Sequence, residues 1–125
     1  MSVRRGEVWL ARFDPIEGRE QAGVRPALVL SVDSFNASRA DLVAVLPITS
    51  KPRPGNPFRI EVQSPEGGLT VVSYVIGEQV RTVSAGRLMK RLGTVSGATM
   101  TKVADVARVI LVPPGRNLAL GSRLV

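Results

Sequence analysis

Residues 18–31, Gly18-Arg19-Glu20-Gln21-Ala22-Gly23-Val24-Arg25-Pro26-Ala27-Leu28-Val29-Leu30-Ser31, begin as a polar, glycine-punctuated loop and end as an unbroken apolar run. A short apolar run behind turn chemistry reads as a buried strand. Proline donates no hydrogen bond to a ladder, so Pro26 is expected to be the first residue of that strand, which reads from about Pro26 to Val32. Arg25 then stands at the strand's mouth, a charge backed by apolar packing. A guanidinium held there offers a planar fork of donors that never titrates away, which suits a phosphate oxyanion. A rim arginine in a surface ion pair is the competing reading.

Working outward, Glu7 to Phe13 reads as a first strand, and Asp14-Pro15-Ile16-Glu17-Gly18 carries the turn chemistry that opens the loop. Asp33 or Ser34 is expected to cap a short helical turn through Phe35 to Arg39. Asp41 to Ile48 is apolar almost throughout and reads as a central third strand ending in Thr49-Ser50. Pro52, Pro54 and Pro57 then forbid regular structure, leaving an exposed loop that carries Lys51 and Arg53. Phe58 to Val62 alternates like a strand with one wet face. Pro65-Glu66-Gly67-Gly68 turns the chain, and Leu69–Ile76 and Gln79–Val83 read as strands around a bulge or kink at Gly77. Arg87 to Val95 is ambiguous, with Gly93 favouring a short strand after a turn.

Ser96 is expected to cap a helix over 97–112. Its apolar residues Met100, Val103, Val106, Ala107, Ile110 and Leu111 recur three and four apart, and Pro113-Pro114-Gly115 stops it. Many short strands with one late helix predict a mainly β (α+β) chain, a small antiparallel barrel covered by a C-terminal helix. All of residues 1–125 form one domain in this reading, with no role assigned to the tail 113–125.

Composition narrows the chemistry. The 125 residues include no cysteine and no histidine, which removes disulfides, thiolate chemistry, histidine triads and the usual zinc, copper and haem ligands. No cofactor and no metal are expected. The opening residues lead straight into the first strand without an apolar leader, so a cytoplasmic protein that does not engage membranes is expected. The net charge is +7, and arginine supplies 14 of the 17 basic side chains. That bias favours planar recognition of phosphate, hence a nucleic acid or an acidic protein segment as partner. Five aromatics are too few for an RNA binder built on stacking platforms, and Trp9 and Phe13 read as core.

Several segments together resemble the MazF/PemK family of toxin ribonucleases from type II toxin–antitoxin modules. They are Arg5-Gly6-Glu7-Val8-Trp9, Phe13-Asp14-Pro15, Gly18-x-Glu20-Gln21-Ala22-Gly23-x-Arg25-Pro26, Phe35-Asn36 and Leu46-Pro47-Ile48-Thr49-Ser50, then Asn56-Pro57-Phe58 and Glu78-Gln79-Val80-Arg81-Thr82. They run in order across residues 4 to about 112. The chain departs from the family pattern at Glu78, where aspartate is frequent, at Val72, and at Ser84-Ala85-Gly86.

The resemblance implies an SH3-like barrel, a homodimer, and metal-independent, sequence-specific cleavage of single-stranded RNA, with messenger RNA the expected substrate. It also implies a cognate antitoxin whose acidic flexible segment covers the RNA groove. Arg25 and Thr49 align with the family's essential arginine and hydroxyl residue, and Glu20 with a glutamate that is chemically the better candidate for the base. Gln21, Ser50, Lys51, Arg53, Gln79 and Arg81 become candidate RNA contacts, with a structural ion pair the rival role for Arg81. Two other functions fit the same barrel: a non-catalytic RNA-binding module, and a gyrase poison of the CcdB type. The C-terminal tryptophan signature of the latter is absent from Ser122-Arg123-Leu124-Val125.

Overall fold

The computed structural model describes residues 2–13 and 23–114. In chain order these form β1 (Glu7–Phe13), β2 (Gly23–Val29), α1 (Asp33–Asn36), β3 (Leu42–Thr49) and β4 (Arg59–Val62). There follow β5 (Ser73–Ile76), β6 (Arg81–Ser84), β7 (Leu88–Thr94) and α2 (Gly97–Leu111). The ladders are antiparallel and run β4-β5-β3-β2-β1-β7, with β6 also paired to β3. This is the mainly antiparallel sheet with a C-terminal helix that the sequence predicts. No ladder joins β7 to β4 among the described residues.

Successive side chains of the strands alternate between two cores. One core joins Val8 of β1, Leu28 of β2, Leu46 and Ile48 of β3, Ile60 and Val62 of β4, and Val75 of β5 to Val103 of α2. Strands distant in the ladder order share that core, which a flat sheet would not allow. The other core holds Trp9, Phe13, Ala27, Val29, Val43, Val45 and Leu88. Trp9 and Phe13 are buried there, as expected, and the indole Nε1 of Trp9 donates to Glu7 Oε1 at 2.9 Å.

β3 is central for a reason written in its sequence. Along one edge it pairs with β6 through Val45↔Arg81, then changes partner to β5 from Ile48↔Val75. Pro47, which has no N–H to donate, lies in the gap where the partner changes.

Several boundaries differ from those predicted. β2 starts at Gly23, not Pro26, and ends at Val29. Pro26 sits inside it opposite Leu10 of β1, and the β2–β3 ladder begins only at Ala27↔Pro47, so the missing donor falls where pairing with β3 has stopped. Neither Asp33 nor Ser34 caps α1: the cap position is Val32, without a side-chain bond, and Asp33 Oδ1 instead accepts the Arg5 N–H at 2.7 Å. Leu69 to Val72 is not strand, because β4 ends at Val62 and leaves those residues no partner beyond Val62↔Ser73. The ambiguous segment resolves into a 3-10 turn, Ala85–Arg87, and the long strand β7 on β1.

The turn before Leu69 packs tightly on β7. Gly68 has φ +75°, and a Cβ there would lie 2.0 Å from the carbonyl oxygen of Leu92, so only glycine fits. From that turn Glu66 reaches the start of α2, where its Oε2 accepts from Ser96 N at 2.9 Å and Thr99 Oγ1 at 2.6 Å. Ser96 caps α2 as predicted, its Oγ accepting from Thr99 N at 3.1 Å. Val103 is buried by the helix, whereas Ile110 and Leu111 of the same apolar pattern are exposed.

Candidate active site

The β2–β3 register brings two of the sequence-predicted residues together. With Ala27 opposite Pro47 and Leu28 opposite Leu46, continuing the same count places Arg25 opposite Thr49, two residues beyond the last ladder pair. An unpaired gap between two strand ends is a cleft. Arg25, Thr49, Ser50 and Lys51 all line one open groove of about 390 Å³ there. Its apolar floor includes Leu10, Pro26, Ile48 and Leu69, and the segment Thr70–Val71 with Ser73 forms a further wall.

Thr49 is 8% exposed and its Oγ1 accepts the Lys51 N–H at 3.2 Å. A hydroxyl carries one donor and two acceptor lone pairs. With a backbone donor already taken, the hydroxyl proton remains to be given to an oxyanion. Arg25 is half-buried, whereas Ser50 and Lys51 are exposed. No carboxylate lines the groove among the described residues, and no group of three or more His, Cys, Asp or Glu gathers among them to hold a metal.

The other predicted contacts lie elsewhere. Arg53 is exposed and lines a neighbouring cavity of about 290 Å³ with Asn56, Arg59, Glu61 and Tyr74. Gln79 lies in the turn after β5, its N–H donating to Ile76 O at 3.1 Å. Arg81 of β6 stacks its guanidinium 4.5 Å from the ring centroid of Phe13, a cation–π contact that gives this side chain a structural role. Neither Gln79 nor Arg81 lines the groove. Glu20 and Gln21 lie outside the described residues.

Sequence reading missed the wall formed by 70–73. Its signal was Gly67-Gly68 together with the early end of β4, which detach the segment from the sheet before it reaches β5. Electrostatically, the clearest perturbation is away from the groove. The Thr99 hydroxyl and then the Ser96 N–H hold the Glu66 carboxyl below its ordinary range. No helix among the described residues is long and apolar enough to cross a membrane.

Comparison with known proteins meets the same residues. The family model described as PemK-like, MazF-like toxin of type II toxin–antitoxin system matches residues 4–111. Endoribonuclease MazF9 of Mycobacterium tuberculosis is 33% identical over 113 residues, covering 87% of this chain and 96% of that protein. Among solved structures, MazF of Deinococcus radiodurans superposes with a TM-score of 0.76 at 26% identity, covering 89% of this chain and 97% of that one. A MazE–MazF complex from the same organism gives 0.72 at 27% identity, over 89% and 96% of the two chains. With the family's pattern matched from the first strand to the last helix, this chain belongs to the PemK-like, MazF-like toxins of type II toxin–antitoxin systems.

Proposed function

We propose that this protein is an endoribonuclease toxin that cuts single-stranded RNA without a metal and is neutralised by a cognate antitoxin. The observation that carries the reading is one open groove lined by Arg25, Thr49 and Lys51 together. The similarity to Endoribonuclease MazF9 supports the activity, and the MazE–MazF complex of a relative supports an antitoxin partner.

In the proposed reaction the 2′-hydroxyl of the RNA loses its proton and attacks the adjacent phosphorus. The bond to the 5′-oxygen of the next nucleotide breaks, and that oxygen takes up a proton. The products are a 2′,3′-cyclic phosphate and a 5′-hydroxyl, with no water consumed in this step. Negative charge builds on the non-bridging oxygens at the five-coordinate stage. Arg25 stabilises it with a permanent positive charge, and Thr49 donates its free hydroxyl proton. One well-aimed donor of this kind is worth about 3–4 kcal/mol of barrier. A guanidinium holds its proton too tightly to act as a base at neutral pH, so proton removal is assigned to Glu20. Ser50, Lys51 and Arg53 attract flanking phosphates. The functional unit is proposed to be a homodimer, and the antitoxin to carry an acidic segment that competes with RNA for the same groove.

The deciding experiment is a digest of defined RNA in EDTA followed by analysis of the ends. Cleavage with cyclic phosphate and 5′-hydroxyl termini is expected. Intact RNA overturns the nuclease reading in favour of a binding barrel, and cutting that stops in EDTA overturns the metal-free mechanism.

A further inference from the structure

The cavity beside the groove is lined by a buried cation, Arg59. The Arg59 side chain is 8% exposed, yet its Nε is buried without a hydrogen-bond partner. Nε forms an ion pair with Glu78 Oε2 at 3.7 Å, and that oxygen also accepts from the amide of Asn56 at 2.9 Å. The guanidinium lines the cavity, with Nη1 donating to Lys51 O at 3.5 Å, so an acceptor from outside meets its terminal nitrogens and not the sealed Nε. Asn56 is also committed through Oδ1, which accepts the Phe58 N–H at 2.8 Å, so it pins the loop over the cavity.

Strand register ties this cavity to the groove. Thr49 of β3 is opposite Tyr74 of β5, and Tyr74 is opposite Glu61 of β4. Residues directly opposite share a face of the sheet, so Thr49, Tyr74 and Glu61 form one row. Two interstrand spacings put Glu61 about 10 Å from Thr49. Arg59 lies two residues before Glu61, on the same face and about 7 Å along the strand.

Its chemistry fits a base better than a phosphate. Glu61 is exposed and, among the described residues, accepts the Gln63 amide alone, which leaves carboxylate lone pairs facing any ligand. That charge repels a phosphate but accepts N–H groups. Guanine carries two acceptors, O6 and N7, on one edge and N–H donors on the next. A buried guanidinium and a carboxylate side by side along one strand match those two edges, and Tyr74 between the strands offers a ring for stacking.

We propose that Arg59, Glu61 and Tyr74 form a subsite that reads a guanine of the RNA strand near the scissile phosphate, Arg59 taking the O6/N7 edge and Glu61 the N1–H and 2-amino edge. This rests on the nuclease reading and adds a specificity determinant to it.

The test uses the whole protein and single-stranded RNA in which one guanine near the cut, found by end-mapping, is replaced by inosine or by 7-deazaguanine. Inosine lacks the 2-amino group and 7-deazaguanine lacks N7. Each replacement is expected to lower kcat/KM roughly tenfold. Glu61→Ala, at an exposed position, is expected to abolish the guanine–inosine difference while keeping the response to 7-deazaguanine. The same comparisons by fluorescence anisotropy, on strands blocked with 2′-deoxy sugars, read the subsite without any cleavage. Preference for guanine in binding with no cutting of RNA sinks the nuclease reading and leaves the subsite standing. Cutting that is indifferent to both analogues, or an inosine effect that survives Glu61→Ala, overturns the subsite.

Discussion

At the scale of single residues, the argument turns on what a charge rests against. Arg25 and Arg81 look alike in the sequence, each an arginine beside strand residues. Arg81 is held over Phe13 in a core-edge stack, whereas Arg25 lines an open groove with a buried hydroxyl across from it. Arg25→Ala is therefore expected to lower kcat about 10²- to 10³-fold with an unchanged circular dichroism spectrum, measured on defined RNA. Lys51 has a simpler task. Its replacement by alanine is expected to reduce the slope of log K against log salt by about 0.7, one single-strand phosphate contact, in binding titrations over a range of salt. Arg25 was legible from the apolar run that follows it, and Thr49 through the family resemblance, while their placement across one groove comes from the β2–β3 register. The Arg59–Glu61–Tyr74 row was not, because it depends on a register between strands that a linear pattern does not contain.

For whole elements, local chemistry and pairing partners divide the credit. The helix α2 was readable from Ser96, its periodic apolar residues and the double proline, since capping and periodicity are local. What could not be read was Glu66, which reaches the same helix start from a turn 30 residues earlier. Ser96→Ala is expected to cost about 1 kcal/mol in urea denaturation. The Glu66 carboxyl titrates below its ordinary value in the folded protein, so its contribution is present above the usual carboxylate range, about 4.3, and is lost as pH falls through the lowered value. Glu66→Gln is expected to flatten that acid limb of the stability profile. Strand ends were misplaced wherever the neighbour decided them: β2 extends back to Gly23 because β1 is there to pair with it, and 69–72 fails as strand because β4 has ended.

On the scale of the whole molecule, composition and strand count announced the class of fold, but not which face of each strand enters which core. Leu46 is 1% exposed and belongs to the core shared by β1–β5 and α2. Leu46→Ala is expected to lower the unfolding free energy by about 2–5 kcal/mol, and the groove, built on the adjoining Ile48, should lose activity at temperatures where the parent remains folded. One feature reaches further. β1 borders β7, so Glu7 meets Thr94 across 86 intervening residues. A polypeptide emerging from the ribosome exposes its first strand long before that strand's outer neighbour exists. Val95 and Val103, which complete the first core, arrive later still. A nuclease built this way is expected to stay unfinished on the ribosome until residues 88–103 have emerged.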